Sequence, residues 1–309
     1  MNFGEMFSKA AKVTWKYKVL WIPGMIVALM TALYSILNEV ISNLLVRSSL
    51  YAPTTMIYSL LIMVVALVYL AFTFFAGTAQ YVIVVWGVLR SEQETAKFTL
   101  RSLWDGSRKY FWRVLGIMAV LSIGLSFVIT PCACIVGAVA GIFTASSVTS
   151  YSTTPAISTT PIIVAFICLF VPIIILSLGI IQQCILAAIV DDCNFSDSLR
   201  RGFKLFGKKF SVILLASIIL GIILFGVSMP VGLGYTWLTQ KFVSTLLSGL
   251  SGSFLNVILY GIAWLVSVPV YMILSAIVFV FTQSAWTFLY HSLTVQPPAE
   301  AVTVQQENA

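Results

Sequence analysis

The chain has 309 residues, 60% of them hydrophobic and only 9% charged, with a formal net charge of +7. Soluble domains carry roughly 25% charged residues, so this composition excludes a globule surrounded by water. The surplus of base does not point to nucleic acid, because the cations flank apolar runs, where an anionic lipid surface is their natural partner.

In chain order, Lys9, Lys12, Lys16 and Lys18 lead into a first apolar run at 19–37. No A-x-A-type cleavage site follows it, so it reads as a retained helix and not a signal peptide. A connection at 38–53 precedes the second run at 55–89. A basic segment holding Arg90, Lys97, Arg101, Arg108, Lys109 and Arg113 then leads into the third run at 111–143. Within it Ala96, Leu100, Leu103, Trp104 and Phe111 form an apolar stripe opposite Lys97, Arg101 and Arg108. Ser91-x-x-Glu94 is spaced to cap its start, and Gly106 to end it in a left-handed turn.

The uncharged Ser/Thr-rich stretch 144–160 reads as a polar loop before the fourth run at 161–190. Asp191 and Asp192 follow, positioned to pair with the next basic segment. There Leu199, Phe203, Phe206 and Phe210 recur at helical spacing against Arg200, Arg201, Lys204 and Lys208, with Lys209 beside them and Gly207 as a second stop. Asn194-Phe195-Ser196 is read as a chance glycosylation triplet. The fifth run spans 211–238, a connection 240–253, and the sixth run 254–289. Residues 296–309, with two prolines and two glutamates, read as a disordered tail.

Each run is long enough for a hydrocarbon core of about 30 Å, which takes roughly 20 helical residues. The fold expected is therefore all-α: a polytopic membrane helical bundle of six transmembrane helices with short cytoplasmic amphipathic helices, one domain over 1–295. Because Lys and Arg stay on the cytoplasmic side, segments 90–113 and 191–210 and both termini are expected there, making this a multi-pass cell-membrane protein. The amphipathic segments suit the headgroup plane. Their candidate lipid-headgroup contacts are Lys12, Lys16, Arg101, Arg108, Lys109, Arg200, Arg201, Lys204, Lys208 and Lys209.

The chain also reads as one hairpin written three times, over about 1–90, 91–190 and 191–295. Arg108-Lys109-Tyr110 aligns with Lys208-Lys209-Phe210, Pro131 with Pro230, Pro172 with Pro269, and Gln183 with Gln283. In the shorter first copy, Lys16-Tyr17-Lys18 precedes Trp21 and Gly24, and Gln80 takes the place of Gln183. Pro131 and Pro230 fall about 32–33 Å of helix past the preceding lysines, at an outer boundary where a helix breaks easily, whereas Pro172 and Pro269 should kink their spans. Trp15, Tyr17, Trp21, Trp86, Tyr110, Trp112 and Tyr290 are expected to form an interfacial belt.

No charged side chain sits near the centre of a run, which argues against a proton-coupled pump. The polar features there are Gln80, Gln182, Gln183 and Gln283. Counted at 1.5 Å per residue from Arg90, Asp191 and His291, they lie roughly 12–15 Å in, a candidate polar midplane site. Two roles compete: amides bonded to one another or to Thr78, Thr282 and Ser284 as structural glue, or the lining of a pocket at a pseudo-threefold axis. No C-x-x-C or Cys/His ligand set occurs, and a Cys132–Cys134 bridge is geometrically awkward. Cys132, Cys134, Cys168, Cys184 and Cys193 therefore read as small packing residues. No metal site, cofactor motif or catalytic triad is expected: the single histidine is His291, and Walker, G-x-G-x-x-G and H-E-x-x-H motifs are absent.

The segments SDSLRRGFKLFGKKFSVILL and TLRSLWDGSRKYFWRVLGIM share an acidic/Ser start, a basic amphipathic helix, an aromatic and then an apolar span. In this the chain resembles the membrane domain attached to some glycerophosphoryl diester phosphodiesterases and related six-span families. The resemblance implies a membrane module; the histidines and metal-binding carboxylates of the catalytic domain are missing, so it implies no hydrolysis. The function expected is a non-enzymatic module that binds anionic lipid or a membrane or cytoplasmic protein partner. The alternative is a transporter or channel for a neutral or anionic solute using the Gln set, and an accessory role in membrane insertion or export fits equally.

Overall fold

The computed structural model describes residues 3–48, 52–93, 99–148, 160–248 and 254–294. Among these lie eight α-helices and no strand: α1 (Phe3–Lys16), α2 (Trp21–Ser48), α3 (Ala52–Gln93), α4 (Leu100–Val148), α5 (Thr160–Val190), α6 (Phe195–Lys208), α7 (Phe210–Ser248) and α8 (Phe254–Thr294), with a single 3₁₀ turn at Lys18–Leu20. Six are long and apolar enough to cross a membrane, over Lys18–Leu45, Met56–Ser91, Leu100–Cys132, Pro172–Val190, Phe210–Leu247 and Leu255–Thr294. The chain is an all-α polytopic helical bundle.

The helices outrun the expected boundaries. With 49 and 39 residues, α4 and α7 extend about 73 and 58 Å and pass through Pro131 and Pro230 without ending. A proline removes one backbone hydrogen bond, and away from water the remaining amides have no partner outside the helix, so the helix continues. The same persistence carries α2 to Ser48 and α7 to Ser248, into the segments expected as connections. Pro172 and Pro269 lie inside α5 and α8.

Gly106 and Gly207 do not end helices in left-handed turns: no described glycine has positive φ. Gly106 lies within α4, with the Trp86 indole packed where its Cβ would stand, and α6 ends one residue after Gly207, capped by Lys209 at φ −120°. The start of α4 is fixed by Thr99, whose hydroxyl accepts from the Ser102 N–H while the Ser102 hydroxyl accepts from the Thr99 N–H, both at 3.3 Å. Glu94, Ala96, Lys97, residues 149–159 of the Ser/Thr stretch, and the tail lie outside the described residues.

Contacts divide the chain into two compact units, Met1–Leu115 with Ile222–Ala309, and Gly116–Gly221. Both α4 and α7 contribute to each, so these limits do not follow those of the hairpin repeat.

In the first unit, Leu20, Ile83, Val84, Val88, Leu103 and Val280 form a buried cluster where the α2 entrance, α3, α4 and α8 meet. Helix α1 lies on α8: Met6, Ala10 and Thr14, one turn apart, are buried, and Phe7 stacks on Phe281 at 6.1 Å. Its exposed Lys9 pairs with Glu5 at 2.9 Å and holds that carboxyl below its ordinary pKa. A tyrosine cluster joins four helices further along. Tyr34 stacks on Tyr69 at 3.8 Å and Tyr235 on Tyr271 at 4.8 Å. The Tyr69 hydroxyl donates to Thr31 at 3.2 Å and the Tyr235 hydroxyl to the Ala32 carbonyl at 3.1 Å.

In the second unit, α5 and α6 form a tight hairpin. Asp191 pairs with Arg201 at 3.0 Å, as the sequence leads one to expect, and Asp192 takes the turn at φ 48°. A left-handed backbone costs a side-chain-bearing residue about 1–2 kcal/mol, which aspartate tolerates better than β-branched residues. Asp192→Val is therefore expected to destabilise by about that amount in chemical denaturation, with Asp192→Gly neutral or stabilising.

Candidate functional site: a basic end with buried amides

The residues that pack α6 against α5 are Ser198 and Gly202, both buried. A Cβ on Gly202 would stand 2.5 Å from Cys184 Sγ and 2.7 Å from its Cα, so only glycine lets the two helices approach this closely. Further along, Phe206 packs beside Gly179. Helix α6 thus flanks α5 over the stretch that holds Gln182 and Gln183. Of the apolar stripe, Phe206 packs on α5 while Phe203 and Phe210 are exposed. Small residues take the packing face because they let backbones approach; Ser198-x-x-x-Gly202 was the signal in the sequence, and it went unread.

All five α6-region cations, Arg200, Arg201, Lys204, Lys208 and Lys209, are exposed, as are Lys12, Lys16, Arg101, Arg108 and Lys109 in the first unit. Lys109 Nζ lies 4.5 Å from the Tyr110 ring. Lys12, Lys16, Ser8 and Trp15 line a shallow concavity on α1. The expected aromatic belt splits in two. Trp15 and Trp112 are 59% and 71% exposed, while Tyr110 and Tyr290 are buried in the core.

Each glutamine is buried: Gln80 5%, Gln182 3%, Gln183 0% and Gln283 2% exposed. In the first unit Gln80 lies against Gly24, where a Cβ would sit 3.1 Å from its amide nitrogen and 2.9 Å from Ala276 Cα, so α2, α3 and α8 meet at this level. No hydrogen bond joins Gln80 to Gln283 among the described residues. The hydroxyls expected as their partners donate within their own helices: Thr78 to the Phe74 carbonyl at 2.7 Å, Thr282 to Val278 at 2.8 Å and Ser284 to Val280 at 2.7 Å. Both amide atoms of Gln183 and the oxygen of Gln283 are buried without a hydrogen-bond partner.

Gln80 opens onto a groove of about 550 Å³ between α2, α3 and the start of α4, lined by the small Ala76 and Ala79, by Ile26 and Ile83, and by Arg101 and Trp104. The structure therefore brings together one residue from each set of sequence candidates, the amide Gln80 and the cation Arg101.

No family model, curated protein or solved structure matches this chain.

Exposure along the helices locates the lipid-facing surface. On α3 the exposed large apolar residues fall between Met56 and Phe75, and on α8 between Leu255 and Ile273. Beyond them both helices become largely buried, α3 from Thr78 and α8 from Ala276. Gln80 and Gln283 lie in these buried parts.

Proposed function

We propose that this chain is a membrane module that works without catalysis, gathering anionic lipid headgroups at its basic segments, with those segments and both termini cytoplasmic. The observation that carries this reading is α6. It is fastened to α5 through Ser198 and Gly202 while its cations and Phe195, Phe203 and Phe210 stay exposed. Cations resist hydrocarbon and phenyl rings favour it, so a helix presenting both rests at the boundary between them. Gln182 and Gln183, beside α6, then sit near headgroup depth and not at the bilayer centre. Placement of Lys and Arg supports the orientation, and the resemblance to phosphodiesterase-linked membrane domains implies the same kind of module.

The test is lipid selectivity in bilayers of mixed phosphatidylglycerol and phosphatidylcholine, read with spin-labelled lipids. Replacing Arg200, Lys204, Lys208 and Lys209 together by glutamine is expected to lower the preference for phosphatidylglycerol several-fold, a fivefold change corresponding to about 1 kcal/mol. Arg201 is kept, because it pairs with Asp191. An unchanged preference overturns the reading and leaves a protein partner as the better occupant of these helices.

A second reading, passage of a neutral or anionic solute, is favoured by the partnerless amide of Gln183. Solute flux in proteoliposomes that disappears in Gln183→Leu would establish it.

A further inference from the structure

We infer that the groove between α2, α3 and the first turn of α4 holds a single phosphate-bearing, two-chain anionic lipid, its phosphate at Arg101 and one acyl chain along Ala76 and Ala79. This rests on the lipid-binding reading above and names the one site where a lipid is held individually.

Four observations point to this occupant. First, the groove is almost wholly apolar, and at about 550 Å³ it falls within the roughly 300–1,000 Å³ of small-molecule sites, far more than a free phosphate needs. Second, its polar side chains have the order of a lipid's own polarity. Arg101 is an exposed cation that no carboxylate pairs with among the described residues, and Trp104 beside it is an indole of the kind that settles at headgroup level. Third, Gln80 lines the apolar wall and is 5% exposed. An amide so placed matches an ester carbonyl, which lies between the phosphate and the acyl chains. Fourth, the groove begins at the first turn of α4, where Leu100 and Arg101 line it, and the positive end of a helix dipole favours an anion.

The shape of the groove follows from small residues. Ala76 and Ala79 leave the α3 wall low, and Ile26, half exposed on α2, forms the opposite lip. Larger side chains at these positions fill the space without touching Arg101.

The test is native mass spectrometry of the whole chain in detergent with dioleoylphosphatidylglycerol, dioleoylphosphatidylcholine or glycerol phosphate as probe. Wild type is expected to keep one phosphatidylglycerol, about fivefold more firmly than phosphatidylcholine, and to ignore glycerol phosphate. R101Q is expected to lose that preference yet still take a lipid. A79F is expected to lose the first adduct of both lipids, and I26W serves as a second filling variant should A79F fold poorly, with circular dichroism melting as the control. Retention of one phosphatidylglycerol by folded A79F and I26W overturns the proposal, as does displacement by glycerol phosphate. If the α6 variant abolishes bulk lipid selectivity while the single adduct persists, both readings stand. If the α6 variant changes nothing but A79F removes the adduct, the wider reading fails and the groove stands.

Discussion

Replacing Gly202 by alanine is expected to destabilise the protein by about 1–3 kcal/mol, the usual cost of overpacking a close contact. The added carbon would stand 2.7 and 2.8 Å from backbone atoms of Cys184, which cannot swing aside as a side-chain tip can. Helix α6 must then rise off α5, and the Asp191–Arg201 pair at 3.0 Å is drawn apart with it. Gly207 on the same helix is the internal control, because a Cβ there meets nothing within 4 Å. Gly207→Ala is expected to stabilise by about 0.5–1 kcal/mol through backbone entropy alone. Thermal melting in detergent of the two variants should therefore move in opposite directions. Equal shifts would mean that α6 does not pack on α5 through Gly202.

Gln183→Leu is expected to raise stability by about 1–3 kcal/mol, since the change removes a buried amide whose two polar atoms have no partner. The structural-glue role expected from the sequence would give a loss. Gln182 supplies the contrast, because only its amide oxygen is buried without a partner, so Gln182→Leu is expected to gain less. A fall in melting temperature for Gln183→Leu would show that its amide is bonded in solution. A rise accompanied by lost solute flux would mark a stability–function trade-off.

The six spans were legible because twenty consecutive apolar residues are a one-dimensional signal that survives without knowledge of neighbours. Helix ends were not, because whether Pro131 stops α4 or Gly207 stops α6 depends on competition for backbone hydrogen bonds, which residue type alone does not record. The α6 pattern was legible as a basic amphipathic helix suited to the headgroup plane, but the face by which it packs on α5 was not, because Ser198 and Gly202 are small and interrupt rather than continue the apolar stripe. Arg101 and Gln80 were each singled out, but that they share one groove depends on the crossing of α3 with the start of α4. The tyrosine cluster was missed because Tyr34, Tyr69, Tyr235 and Tyr271 have no common spacing in sequence.

The exposed apolar faces of α3 and α8, which stop at Phe75 and Ile273, also make the chain sensitive to membrane thickness. A membrane a few ångströms thinner than such a face leaves a ring of greasy side chains uncovered. The rods can hide that ring by leaning over, at fractions of a kcal/mol per ångström of mismatch. Acyl-chain length thereby becomes a weak control on how the basic segments meet the headgroups.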